Sequence, residues 1–280
     1  MKKSSHWFIT GVSSGFGRAL AAAALNRGDR VTGTVRAAAA RDAFLAAHPQ
    51  RAGIRLLDVT NESTVRAVIA ATEAETGPVD ILVNNAGYGL VAGVEEASLS
   101  EIRAQFEVNV FGAVAVMQAV LPFMRQRRAG RIINISSVSG LVGWAALGIY
   151  TGSKFALEGI VETLAQEVSP LGIRVTLIEP GGFRTDFAGR SRAESARQIA
   201  DYEPSVGANR RILTQHAGHE PGDPAKAALA ILKVADSARP PLRLMLGTDA
   251  LGYAQRKFEQ HANEIKAWDA VSRSTDFAAG

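Results

Sequence analysis

Short apolar runs and helix-like stretches alternate along the whole chain. Trp7-Phe8-Ile9-Thr10 reads as a first strand, the Ala/Leu-rich stretch Gly15 to Gly28 as a helix, and the β-branched run Val31 to Val35 as a second strand. Ile54 to Leu57 gives a third strand, Thr64 to Thr76 a helix, and Val79 to Val83 a fourth strand. Ser98-Leu99-Ser100-Glu101 is a capping box that opens a long helix toward Met124. Arg131 to Ile135 is a fifth strand, Tyr150 to Ser169 a helix ending near Pro170, and Ile173 to Ile178 a sixth strand. Asp223-Pro224 is an N-cap followed by Pro at the first helical position, opening a helix through Val234. Leu242 to Leu246 fits a seventh strand, and a last helix ends near Trp268.

These strands are continuously apolar rather than alternating, so both faces are covered, as in a parallel sheet between helices. The expected fold class is therefore α/β, with one doubly wound parallel β-sheet of the Rossmann type, about seven strands and helices on both faces. Residues 1–280 read as a single domain, with no internal repeat and no linker. The least regular stretch is Gly181 to Gly222, and a loop that long is usually functional. Within it, residues 183–222 are read as a substrate-binding lid.

Composition narrows the function classes. Lys and Arg exceed Asp and Glu by four, and the densest basic run, Arg125 to Arg131, is broken by Ala129 and Gly130. So short a run suits a solvated helix end, and no nucleic-acid partner is inferred. The absence of cysteine excludes disulfides, thiolate catalysis and Cys-ligated zinc, and agrees with a cytoplasmic location. The run Trp7 to Ile9 is too short for a signal-peptide core. The longest apolar run, Val110 to Met124, holds Gln118 and Pro122 and falls short of the ~20 residues that span a bilayer, so no membrane association is expected.

Between the first strand and first helix lies Thr10-Gly11-Val12-Ser13-Ser14-Gly15-Phe16-Gly17. Glycines let a backbone turn tightly against phosphates, and the following helix N-terminus offers free N–H groups, so this loop is where a dinucleotide pyrophosphate would bind. A carboxylate ending the second strand would favour NAD through the ribose 2′-hydroxyl. Thr34-Val35-Arg36 has none there. Arg36 can pair with a 2′-phosphate, which favours NADP(H) over NAD(H).

Tyr150-Thr151-Gly152-Ser153-Lys154 sets a phenol and an ammonium four apart on one helix face. The ammonium is expected to lower the phenol's pKa from its usual ~10, so that Tyr150 exchanges a proton with a carbonyl or alcohol near neutral pH. The spacing recurs at Tyr253 and Lys257 on the last helix, with no glycine loop or serine ahead of it, and that copy is read as a surface coincidence. Ser136 and Ser137 end the fifth strand at the sheet's carboxyl edge, where a hydroxyl can bind a substrate oxygen. Asn109 lies in the preceding helix, either a structural amide or part of the site.

Taken together, Thr10-Gly11-x3-Gly15-x-Gly17, Asn84-Asn85-Ala86-Gly87, Asn109, Ser137, Tyr150-x3-Lys154 and Pro180-Gly181-x3-Thr185 resemble the motifs of the short-chain dehydrogenases/reductases, in their order, over residues 7–186. The resemblance is to the single-domain branch, most nearly its bacterial 17-beta-hydroxysteroid-dehydrogenase-like members. It implies that Tyr150 is general acid/base, that Lys154 lowers its pKa and binds the nicotinamide ribose, that Ser137 rather than Ser136 orients the carbonyl, and that Asn109 holds a relay water. It further implies that Gly11, Ser13, Ser14, Gly15, Phe16 and Gly17 bind the cofactor with Arg36. Asp58 and Val59 would serve the adenine. Asn85, Ala86 and Gly87 would line the ribose and adenine side, and Pro180, Gly181, Phe183 and Thr185 the carboxamide. Many NADP-binding relatives carry a basic residue just before the second motif glycine. Here it is Ser14, which leaves the 2′-phosphate to Arg36.

The activity this implies is reversible hydride transfer between NADP(H) and a ketone or aldehyde, without metal, in a homodimer or homotetramer built on the two long central helices. The substrate is expected to be an apolar carbonyl or alcohol. Ser137, Ser139, Tyr150 and Phe183 would contact it, and Tyr88, Leu90, Leu141, Trp144, Leu147 and Phe187 flank the motifs closely enough to line a pocket. His216 and His219 are read as solvated loop residues rather than ligands, and His6, His48 and His261 have no motif context. Two other readings use the same fold: a non-catalytic dinucleotide sensor, and an isomerase or dehydratase that recycles its nicotinamide.

Overall fold

The computed structural model describes residues 4–48, 52–186 and 191–277. In chain order the first half comprises β1 (His6–Ile9), α1 (Gly15–Asn26), β2 (Arg30–Val35), α2 (Ala38–Ala47), β3 (Ala52–Leu56), α3 (Glu62–Glu75), β4 (Ile81–Asn84), β5 (Gly89–Val91), α4 (Leu99–Phe106) and α5 (Ala113–Arg127). Then follow β6 (Gly130–Ile135), α6 (Gly148–Val168), β7 (Ile173–Pro180), β8 (Arg192–Glu194), α7 (Ala208–Gln215), α8 (Pro224–Asp236), β9 (Arg243–Leu246) and α9 (Thr248–Arg273).

Seven strands form one sheet in the order β3-β2-β1-β4-β6-β7-β9, every neighbour parallel. The order reverses beside β1, so the carboxyl ends of β1 and β4 open a crevice there, the place where such sheets take ligands. Successive strand residues point to opposite faces. Trp7 and Ile9 pack with Leu20 and Ala24 of α1 and Ile231 of α8. Phe8 and Leu82 face the other way, onto Ile69 of α3, Val116 and Met124 of α5 and Leu157 of α6. Each such side chain contributes roughly 1.5–3 kcal/mol by leaving water. His6, without motif context in the sequence, is wholly buried, its ring nitrogens against the carbonyls of Gly77 and Pro78 and the hydroxyl of Thr32.

The caps are where the sequence puts them. Ser98 Oγ accepts from the Glu101 N–H at 3.2 Å, while Glu101 Oε2 accepts from the Ser98 N–H at 2.7 Å. Asp223 accepts from the Ala225 N–H at 2.8 Å. α3 starts two residues before Thr64 because Asn61 caps it, and α9 runs past Trp268 to Arg273. α2 is an added element that the sequence reading passes over.

α4 and α5 form one continuous rod, joined by a π-helical segment, Glu107–Gly112. The rod, Leu99–Arg127, is 29 residues, and by length and composition alone it reaches bilayer-spanning size, unlike its longest apolar run. Ala113, Val116, Met117, Val120 and Met124 along it belong to the core.

The described residues of the stretch 181–222 are more ordered than their sequence suggests. β8 pairs in parallel with β5 as a separate two-stranded sheet, Leu90 opposite Ala193. A 3₁₀ turn (Ala200–Tyr202), a π turn (Glu203–Gly207) and α7 follow.

Candidate active site

The glycine loop turns sharply between β1 and α1, with Gly11 at φ +71° and Gly15 at +54°. A Cβ on Gly17 would lie 2.3 Å from the Gly11 carbonyl oxygen and 2.4 Å from Asn85 Nδ2, so a side chain there would force the loop apart. Asn85 is what holds the loop: its Nδ2 donates to the carbonyls of Thr10 and Gly11, each at 2.9 Å. Thr10 Oγ1 in turn accepts from the N–H groups of Asn85 and Ala86. Ser14 is the N-cap of α1, but its side chain makes no capping hydrogen bond. The first N–H groups of α1 therefore stay available for an anion, and this cradle fits a dinucleotide pyrophosphate.

The loop borders a cleft of about 910 Å³ that also takes in Arg36, Asp58, Val59, Asn85, Ala86 and Gly87. Arg36 is exposed at the end of β2. Asp58 Oδ1 accepts from the N–H and hydroxyl of Thr60, at 3.0 and 2.8 Å. Those two bonds, with a smaller contribution from the charge of Arg36, hold its carboxyl below the usual range.

At the other end of the cleft, Ser137, Tyr150, Lys154, Pro180, Gly181, Phe183 and Thr185 converge. Tyr150 and Lys154 are buried on α6. The Ser137 hydroxyl hydrogen-bonds the Tyr150 phenol and accepts from the Ser139 N–H at 3.0 Å. Lys154 Nζ donates to the Ile135 carbonyl at 2.9 Å and lies 5.7 Å from the Tyr150 ring centroid. Asn109 sits in the π-helical segment. Its Nδ2 donates to the Tyr88 carbonyl (2.9 Å) and to Ser153 Oγ (3.1 Å), and its Oδ1 accepts from the Tyr88 N–H (3.1 Å). It is not among the residues lining the cleft.

The electrostatics differ from the expectation that Lys154 acidifies the phenol. Burial pushes Tyr150 up to about 12, with the Ser137 hydrogen bond opposing, and burial pushes Lys154 down to about 8, with Glu158 opposing. In the polypeptide alone, loss of water is the dominant influence on both groups. The sign for stability follows. Between pH about 8 and 10.5 the unfolded chain keeps a proton on Lys154 that the folded chain has lost, so stability rises with pH in that window. Lys154→Met removes this dependence. Its Tm relative to the parent protein should therefore fall steadily as pH rises from 8 to 10.5, and should stay level below that window, when followed by thermal scans at matched ionic strength.

On the substrate side the cleft is walled by Tyr88, Ser139, Trp144, Leu147 and Phe183. Leu90 is instead buried beneath the wall, with its N–H donating to Gln105, and Leu141 does not line the cleft either. Phe187 lies outside the described residues. Phe183 also packs on Phe16 of the glycine loop, ring centroids 5.1 Å apart. Tyr253 is exposed, as expected of the second Tyr-x-x-x-Lys copy, but it also lines the cleft, its ring edge-on to Trp144 at 5.3 Å. The reading missed it because α9 returns to the cleft mouth only through the seventh strand's position at the sheet edge.

The sequence reading also missed α7, which supplies Asn209, Ile212, Leu213 and His216 to the wall. A polar clamp fixes this covering segment. Glu96, 2% exposed, accepts from the N–H groups of Gly93 and Ile199 and from Arg210 Nη2 at 2.8 Å. Removing one partner of a buried ion pair costs roughly 3–5 kcal/mol. Glu96→Ala should accordingly lower the Tm, and limited proteolysis should cut first within 191–216.

Comparison with known proteins agrees with this geometry. The family model described as short chain dehydrogenase matches residues 5–196. The oxidoreductase BOA17 of Botryotinia fuckeliana is 39% identical over 267 residues, covering 95% of this chain and 97% of that protein. A 3-ketodihydrosphingosine reductase of Bacteroides thetaiotaomicron is 38% identical, covering 85% of this chain and 86% of its own length. Among solved structures, a short-chain dehydrogenase from Streptomyces avermitilis superposes with a TM-score of 0.92 at 43% identity, over 99% of this chain and all of that one. A Burkholderia phymatum short chain dehydrogenase/reductase solved in complex with NAD superposes at 0.82, with 26% identity over 94% of this chain and 95% of its own.

Proposed function

Since the chain belongs to the short-chain dehydrogenase/reductase family and is an oxidoreductase, we propose that it interconverts a ketone or aldehyde and an alcohol with NADP(H), using Tyr150 as general acid/base. The observation that carries this reading is the meeting of the Ser137 hydroxyl, the Tyr150 phenol and the Lys154 ammonium in the same cleft as the glycine cradle. The bound nicotinamide supplies the hydride. Ser137 and Tyr150 together would hold the carbonyl oxygen, a pair of preorganised donors in a site shielded from water. Tyr150 would then give its proton to that oxygen on reduction, or take it on oxidation. The positive charge of the oxidised ring would favour the phenolate, supplying what Lys154 alone does not.

NADP(H) over NAD(H) rests on Arg36, exposed at the cleft's far end with no acid on β2 beside it. Asn109, anchored to Tyr88 and Ser153, would position the backbone behind Lys154 and hold a relay water. An apolar substrate is supported by the wall of Trp144, Leu147, Phe183, Ile212 and Leu213, with α7 and its neighbours as the lid. The relative named 3-ketodihydrosphingosine reductase points the same way. A homodimer or homotetramer through the central helices is supported by Phe111 and Phe155, 57% and 46% exposed on adjoining helices, and sedimentation would read the mass. The test of function is a screen of apolar ketones, aldehydes and secondary alcohols, with NADPH and NADH in parallel. Consumption of NADPH with a ketone or aldehyde supports the reading, and none with any carbonyl or alcohol overturns it.

A further inference from the structure

One turn beyond Lys154 on α6 stands Glu158, 6% exposed, and opposite it on β7 stands Glu179, 2% exposed. The two carboxyl groups face each other in hydrogen-bonding contact. Two oxygens, Glu158 Oε1 and Glu179 Oε2, have no N–H or hydroxyl donor. Carboxylates without donors between them cannot both be ionised in a water-poor site, so the contact requires a proton. Arg243 of β9 is the counter-charge for both. Its Nε donates to Glu158 Oε2 at 2.9 Å and lies 3.3 Å from Glu179 Oε1, while its Nη2 donates to Glu162 Oε2 at 2.7 Å. The shorter guanidinium contact and the nearby ammonium of Lys154 place the negative charge on Glu158 and the proton on Glu179.

The surroundings leave few other sources of charge. Among the described residues, the ionisable groups facing the pair are Lys154 and Glu162 from α6 and Arg243 from β9. The turn after β6 brings only Gly140 and the Ser136 hydroxyl. A Cβ on Gly140 would lie 2.8 Å from both Glu158 Cγ and Ser136 Oγ, so glycine is what lets this turn close over Glu158. Glu158 is one helical turn from the amine that stands one turn from the reacting phenol, and it does not itself line the cleft.

We propose that Glu158 and Glu179 share one proton and act as a positioning pair for the reaction: Glu158 holds Lys154 in its cationic form, and release of the shared proton deepens the negative charge behind Lys154 as pH rises. The inference rests on the assignment of Tyr150 and Lys154 given above. The charge of Glu158 opposes the burial that drives Lys154 toward its neutral amine, and burial together with Glu158 raises Glu179. Tyr150 would thus keep a cation beside it over a wider pH range than a buried lysine alone allows.

Two measurements test it. The first is an infrared titration of the protein as isolated, which does not depend on turnover. A protonated carboxyl signal should persist to neutral pH and disappear in Glu179→Gln. Its absence from the parent protein, or its survival in the variant, overturns the pair. The second is the pH profile of kcat/KM. In Glu158→Gln the alkaline limb should move down by about one unit, the size of a lost opposite charge at close range. Glu179→Gln should show a smaller shift in the same direction, and Glu158→Asp should recover part of the range. Profiles that superimpose overturn the link to Lys154, since a merely structural Glu158 would lower activity without moving the limb. If Glu158→Gln does not fold, Glu179→Gln decides by both readouts. Should no carbonyl or alcohol turn over at all, the functional assignment fails while the infrared titration still decides on the pair.

Discussion

Tyr150→Phe should lower kcat by between about 10²- and 10⁴-fold, the range that a positioned general acid or base contributes, while the Kd for NADPH stays close to that of the parent protein. The substitution is well suited to separate chemistry from folding. The ring is 7% exposed on a helix that packs against the sheet, and phenylalanine fills the same space. The lost hydroxyl leaves Ser137 with the bond it accepts from the Ser139 N–H, and its own hydroxyl proton, half-buried at the cleft, can turn to water. Because the hydroxyl acts on the substrate oxygen as the proton moves, kcat and kcat/KM should fall together. Steady-state kinetics with a fluorescence titration of NADPH reads both quantities. Turnover at the parent rate would remove Tyr150 from the chemistry.

The second large effect concerns the cofactor. Arg36→Leu should weaken NADPH binding by about 10- to 100-fold, the value of a hydrogen-bonded charge pair of roughly 1.5–3 kcal/mol, and leave NADH nearly unchanged. The side chain is exposed at the mouth of the cleft, so the NADPH affinity of the parent protein should also decline with added salt, and that of the variant less steeply. Equal losses for both cofactors would mean that Arg36 supports the loop rather than reading the 2′-phosphate. The exposed neighbour Asp58 is held ionised by Thr60, and its charge would oppose the phosphate, so Asp58→Asn should shift preference further toward NADPH.

Much of this site was legible without coordinates because its chemistry is local. The glycines around Ser13 and Ser14 each answer a backbone demand, and Tyr150 and Lys154 share a face by helical spacing alone. The apolar runs from Trp7 to Leu246 predict parallel strands because only two-sided burial leaves no polar alternation. What the residues did not disclose depends on distant contacts. The strand pairing of Gly89–Val91 with Arg192–Glu194 joins segments a hundred residues apart, and neither run is long or apolar enough to signal a strand. Asn109 reads as a helix residue, but the π-helical register that turns it toward Tyr88 has no local signature. The place of Tyr253 at the cleft has no local signature either. Glu158 and Glu179 did leave a trace: one continues the Tyr150–Lys154 face by a further turn, and the other is an acid at the carboxyl end of its strand, between Ile178 and Pro180. The phenol is not acidic in the polypeptide alone because burial of the whole side chain dominates, and what opposes it at Tyr150 is the Ser137 hydrogen bond rather than the charge of Lys154.

The small sheet of β5 and β8 ties two functions to one hinge. β5 begins two residues after Gly87, on the nucleotide side, and β8 leads into the segment that roofs the other half of the cleft. Three parallel backbone registers weld them, so the roof cannot lift without disturbing the strand that leaves the nucleotide pocket. Any bias that filling one half of the cleft puts on the other through these registers would act equally in the reverse direction.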